Sequence, residues 1–165
     1  MATSYNSDGS LSTGYRSQPT VTRPANQTPY TAGDVVGGVI EFTNIGPAGG
    51  HIWITSVDLM AYISAIPSGM TSMRLRVYDA SPASAIADNS PWDLPSGDRA
   101  NYLGYIDIGS LVDEGSTCAV QTDVSKQFKL AANSSSLFAY LVTNGGYTPA
   151  ANSEVYVPRL RAVAL

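Results

Sequence analysis

The sequence predicts an all-β chain: an antiparallel sandwich or jelly-roll-like domain of about eight strands with a flexible N-terminal arm. Three observations carry this. From Tyr30 onward apolar residues recur largely at every second position, as in strands with one buried face. Clusters rich in Gly, Pro, Asn and Asp (IGPAGG, IPSGM, DEGS, NGGYTPAAN) separate these runs. No segment shows a convincing helical spacing of apolar residues between capping residues.

Taken in order, residues 1–29 are dominated by Ser, Thr, Asn, Gln, Gly and Pro, with apolar residues scattered aperiodically. Alone, such a segment buries too little to offset its ordering entropy. It reads as an extended arm, with Tyr5, Leu11, Tyr15 and Val21 as anchors onto a partner. The β domain then occupies 30–165. In YTAGDVVGG, Ala32, Gly33 and Asp34 fit a turn, the first strand starts at Val35, and Gly37 and Gly38 fit a bulge or a close backbone approach. Val36, Ile40 and Phe42 share one face of that strand. In HIWITSVDLMAYISAI, Trp53, Val57, Leu59, Ala61 and Ile63 are expected to face in. Ile52, Ile54 and Met60 break the alternation, which implies cover on both faces in places. TSMRLRVYD alternates cleanly, with Met73, Leu75 and Val77 in and Arg74, Arg76 and Tyr78 out. A long loop follows, from about Asp79 to Asn101; loops of that length are usually functional or packed on a neighbour. Shorter strands are expected at YLGYIDI, STCAVQT and QFKLA. SSLFAYLVTN is apolar on both faces and reads as a central strand. In EVYVPRLRAVAL, Pro158 calls for an edge position, a bulge or a kink.

Composition narrows the function. Charged residues make up 13% of the chain, about half the usual share. The net charge of −4, with Lys126 and Lys129 the only lysines, argues against nucleic-acid binding, which needs a basic face. No run approaches the roughly 20 apolar residues of a membrane-spanning helix, and MATSYNSDGS lacks the basic start and apolar run of a signal peptide. A single cysteine, Cys118, excludes an internal disulfide and gives no support for a zinc site.

No residues are assigned to catalysis or to a metal, and no cofactor is expected. A Cys–His dyad would need Cys118 to meet His51, the only histidine, yet Cys118 sits in an alternating run as a small buried hydrophobe would. No serine stands in a G-x-S-x-G elbow. Asp88, Asp93 and Asp98 share the long loop with Trp92. They could bind sugar or calcium, but the simpler reading is that they cap turns on local amides. Arg74 with Arg76, and Arg159 with Arg161, form two R-x-R pairs, each on one strand face. Either they are solvated, or they and Trp92 meet a subunit or an acidic partner, where arginine is enriched.

The segments YTAGDVVGG, GGHIWITSVDL, IPSGMTSMRLRVYDASP, DNSPWDLPSGDRANYLGYIDIG and SLFAYLVTNGGYTPAANSEVYV together resemble small virion proteins of tailed bacteriophages, over roughly residues 30–165. The resemblance implies a capsid decoration (cement) protein, often a homotrimer. Its partner would be the major capsid protein, which it clamps on the outer surface of a capsid assembled in the bacterial cytoplasm. Some phage β domains of this kind sit instead on tails or fibres, which leaves a receptor- or glycan-binding module using Trp92 as the alternative. No catalytic residues come with the resemblance.

Overall fold

The structure, a computed structural model, describes residues 3–5 and 11–165, with side chains from Gly14 onward. Two antiparallel sheets face one another. The strands are β1 (Thr3–Tyr5), β2 (Leu11–Ser17), β3 (Val21–Thr22), β4 (Val35–Phe42), β5 (His51–Ala61), β6 (Ser72–Tyr78), β7 (Tyr102–Ser110), β8 (Val112–Asp113), β9 (Cys118–Lys129), β10 (Leu137–Thr143) and β11 (Val155–Ala164). The larger sheet runs β1-β2-β11-β5-β9-β8, with β3 also on β11; the smaller runs β4-β10-β6-β7. The chain passes between the sheets at β3–β4, β4–β5, β5–β6, β7–β8, β9–β10 and β10–β11, so neighbours in a sheet are mostly distant in sequence. This is the all-β, jelly-roll-like sandwich that the alternation and turn clusters predict.

The main core lies between the sheets. Met73, Leu75 and Val77 of β6, Ile106 and Ile108 of β7, and Leu137, Ala139 and Leu141 of β10 meet Val57, Leu59 and Ala61 of β5 and Leu160 of β11. At about 1.5–3 kcal/mol per buried large aliphatic side chain, this interface is the main favourable term in the fold. A second cluster lies on the opposite face of the smaller sheet: Val35, Tyr78, Tyr140 and Val142, covered by Ile86, Trp92, Leu94, Tyr102 and Phe138. The 79–101 loop folds back across that face, which explains why β10 is apolar on both sides. Tyr78, expected to face out, does point away from the main core but is only 1% exposed, because the loop roofs it.

Three expectations need correction. Trp53 faces outward, 38% exposed, while Ile52 and Ile54 are buried. The cause is an irregularity at Thr55, where the register of β5 with both β9 and β11 slips. The slip inverts which residues face the core, so Ile52 and Ile54 record a bulge, while the expected cover on both faces is found further on, where Ser56, Val57, Asp58 and Leu59 are all buried. STCAVQT and QFKLA belong to one continuous strand, β9, whose middle (TDVSKQ) is mostly exposed and whose outer edge β8 pairs only at Cys118 and Ala119.

The third correction concerns the division at residue 29. β2 pairs with β11 at Gly14–Ser17, and β3 pairs with β11 at Val21 and Thr22. Tyr15 packs against the main core, and Val21, 7% exposed, belongs to it. These two anchors hold on to their own chain. The side chains of Tyr5 and Leu11 lie outside the described residues. Pro158 sits opposite Leu59 of β5, and on its other side it falls in the gap between the β3 and β2 pairings, where no ladder bond is lost.

The opening of the β domain follows its sequence closely. The amide of Asp34 donates to the Thr31 carbonyl, closing a turn with Gly33 at φ +94°. The Asp34 carboxylate in turn accepts from the Thr31 amide and hydroxyl. Gly37 and Gly38 form a bulge: Leu141 opposes Val36, but the next residue back, Tyr140, opposes Val39. At Gly37, with φ +81°, a Cβ would lie 2.3 Å from Cγ1 of Val21, so the position has no room for a side chain.

Candidate functional site

Arg74 and Arg76 project from the outer face of the smaller sheet, across from Asp107 and Tyr105 of β7. Arg74 Nε donates to Asp107 Oδ1 at 2.6 Å, and its guanidinium lies 4.1 Å from the Tyr105 ring centre. The Arg76 guanidinium lies 4.0 Å from the Trp92 ring and 5.4 Å from that of Tyr105, and it donates to the Tyr102 hydroxyl at 3.2 Å. Lys126 Nζ comes over the same Tyr105 ring at 5.1 Å. Three cations thus surround one aromatic ring that is itself 40% exposed. Among the described residues Asp107 is the one carboxylate bonded to them, so the surface keeps a net positive charge. The stacking holds long side chains in place before any partner arrives, which lowers the entropy lost on binding.

Trp92 joins this surface from the loop. One face is taken by Arg76, and its indole N–H donates to the Tyr78 hydroxyl at 3.2 Å. It ties the loop to the sheet.

Arg159 and Arg161 lie elsewhere, on the outer face of the larger sheet. Their guanidiniums each come within 3.0 Å of Asp58 Oδ2, and Arg159 also donates to Gln18 at 2.8 Å. The two R-x-R pairs are therefore on opposite sides of the sandwich, each engaged within the chain.

The loop aspartates diverge. Asp98, expected to cap a turn on local amides, instead accepts from the amides of Ala83 and Ser84, 15 and 14 residues away, and so braces one side of the long loop against the other. Asp93 is exposed. Asp88 reaches outside its own loop, taking the Tyr30 hydroxyl at 2.5 Å and the Gly37 amide at 2.7 Å. Cys118 is buried and pairs with Ala61, while His51 is exposed at the opposite end of β5, so strand register holds the two far apart. Burial also pushes the Cys118 thiol up, away from the reactive thiolate.

One cluster escapes any sequence reading. Arg23, 1% exposed, donates to the Tyr30 hydroxyl and lies 3.8 Å from Glu154 Oε2. Glu154 accepts from Tyr156 at 3.0 Å and from the amides of Ala150 and Ala151; Tyr156 in turn meets Tyr147, hydroxyl to hydroxyl, at 3.0 Å. Burial raises the ionisation of Tyr30, Tyr147 and Tyr156 well above the ordinary phenol range, and acceptance of the Tyr30 hydroxyl by Asp88 adds to it there. The network joins the strand β3 region, the long loop and the β10–β11 loop. Its members come from chain segments more than 100 residues apart, which no local pattern reveals.

No protein-family model matches the chain, and a search of curated proteins finds no match. Among solved structures it is similar to a chain of the cyanophage Pam1 capsid asymmetric unit, at 12% identity and a TM-score of 0.37, over 93% of this chain and 86% of that one. A chain of mud crab dicistrovirus gives 17% identity and a TM-score of 0.36, over 91% and 68%. The globular domain of zebrafish complement 1qA gives 10% identity and a TM-score of 0.34, over 90% and 96%. Viral chains and a complement domain overlap the sandwich equally loosely, so the overlap singles out no function.

Proposed function

We propose that the chain is a structural virion protein, acting by contact and not by catalysis, that binds the outer surface of a phage capsid and bridges major capsid subunits. The observation that carries the reading is the ordered face of Arg74, Arg76, Tyr105 and Trp92. Arginine, tyrosine and tryptophan are the side chains that most often dominate protein–protein contacts. Here Arg74, Arg76 and Tyr105 are preassembled on the sheet, and the loop brings Trp92 to them. The sequence resemblance to phage virion proteins supplies the partner. A bridging protein stabilises a shell because expansion or dissociation must break interfaces of roughly 1,600 Å² each. A trimer, as the resemblance implies, adds avidity by making the second and third contacts intramolecular.

The test uses purified capsids that lack the protein. Added chain should bind at hundreds of copies per particle and raise the temperature of shell disruption. Tyr105→Ala with Arg74→Ala should abolish binding while leaving the circular dichroism spectrum intact. A few copies per virion, or full binding by the double variant, would overturn the reading.

A further inference from the structure

The outer face of the larger sheet is unevenly charged. At one level Arg16, Arg161, Ser56 and Asp123 stand side by side across β2, β11, β5 and β9. At the next level stand Arg159, Asp58 and Gln121, and beyond them Met60, Ala119 and Val112. Arg159 and Arg161 share one oxygen of Asp58, so two guanidiniums and one carboxylate leave a positive charge. Arg16 is exposed and bonded to Gln18, a neutral partner. Asp58 itself is buried, and its Oδ1 has no hydrogen-bond partner. Across β5, Asp123 and Glu114 are exposed, and neither forms an ion pair among the described residues.

Between the two sides runs a cleft of about 430 Å³. Met60, Ala119 and Val112 line it with apolar surface, and Arg159, Gln121 and Glu114 rim it. Val112 is 57% exposed, and Tyr62, one step beyond Met60 and Ala61, is 54% exposed. An apolar strip flanked by charges of opposite sign is unusual on a chain with so few charged residues.

We propose that this face binds a second copy of the chain, with the arginine side of one copy against the acidic β9 side of the other. The charges select the arrangement. A two-fold axis along β5 exchanges the two sides of the face and sets Arg161 opposite Asp123 of the other copy. A two-fold axis across the strands would stack arginine on arginine. A closed head-to-tail ring makes the same arginine-to-aspartate contact between successive copies. In either case the contact covers Val112 and Tyr62 and neutralises the charge that Asp58 leaves over. It is a property of the isolated chain and does not require a capsid, so its failure and that of the capsid reading are separable.

The test is the mass of the purified full chain by light scattering, at low and high NaCl. The wild type should have the mass of two or three copies at low salt and shift toward one copy as salt rises, since exposed ion pairs are screened. Asp123→Arg should be monomeric at every salt concentration with an unchanged circular dichroism spectrum. Combining it with Arg161→Asp should restore the wild-type mass. Because Arg161→Asp places a carboxylate beside Asp58, Asp123→Asn serves as a second, milder probe and should weaken association in the same direction. A monomeric wild type, or an oligomer indifferent to Asp123→Arg, would overturn the proposal.

Discussion

Tyr30 and Asp88 meet hydroxyl to carboxylate at 2.5 Å, and the same Asp88 oxygen accepts the Gly37 amide at 2.7 Å. One loop side chain therefore fixes both ends of the segment where the β domain begins. Asp88→Ala leaves two donors without their acceptor, at about 1–3 kcal/mol for a buried group. Urea unfolding should show a loss of about 2 kcal/mol. Asp88→Asn, which keeps an acceptor oxygen, should lose less. Equal losses would assign the effect to the charge on Asp88 and not to its bonds.

The adjacent glycines make a paired test. Gly37→Ala adds a Cβ 2.3 Å from Val21 Cγ1 at a positive φ, whereas at Gly38 nothing lies within 4 Å. Gly37→Ala should cost about 2–4 kcal/mol from overpacking and backbone strain together. Gly38→Ala should change stability by less than about 1 kcal/mol. Val21→Ala should recover part of the loss in the Gly37→Ala background, detectable as coupling in a double-mutant cycle.

Alkaline pH should unfold the chain steeply. Burial raises Tyr30, Tyr147 and Tyr156, and burial pushes Tyr78 up to about 12. A phenol in the unfolded chain ionises near pH 10. A folded-state value above the unfolded one stabilises fully below about pH 10, and that contribution is lost as pH rises through the folded value. For Tyr78 the window is about pH 10 to 12. Phenolate absorbance from these four residues should appear together with loss of the β-sheet circular dichroism signal. Smooth titration of all ten tyrosines with the fold intact would contradict the burial of these four.

Trp92→Ala should act on the loop before it acts on any ligand. The side chain is partly buried against Tyr102, with ring centres 5.7 Å apart, and under Arg76. A loss of about 2 kcal/mol is expected, less than for a fully buried tryptophan, with new protease cleavage within 79–101. Cleavage unchanged from wild type would show that the loop is held without Trp92.

What could be read in advance depended on how local each cause was. The turn at Ala32–Asp34, the clean alternation of β6 and the two apolar faces of β10 were legible because each is written in a few adjacent residues. The phase change in β5 was not, since Thr55 carries no Gly or Pro to mark a bulge. β2 reads as loose chain because its segment, LSTGYRS, has few apolar residues and no alternation; of its described side chains, Tyr15 is the apolar one that packs on the core. Arg74, Arg76 and Trp92 stand out in the sequence as interface candidates, but the meeting of the two arginines around Tyr105 needs the β6–β7 register, and that of Arg76 with Trp92 needs the fold of the loop. The network of Arg23, Tyr30, Asp88 and Glu154 depends on long-range closure alone.

The roof that the 79–101 loop makes over Tyr78, Tyr140 and Val142 divides the apolar interior into two unequal compartments with the smaller sheet as the wall between them. The compartments have different sizes and different restraints, so they can open separately. Amides such as Val35, whose N–H is held by the Ser90 carbonyl, should exchange with deuterium at the rate of a lifting roof. Those of β5 and β11 should wait for the whole sandwich to come apart. The protein would then respond to mild stress in two stages, shedding a cover while the body that carries the arginine faces stays folded.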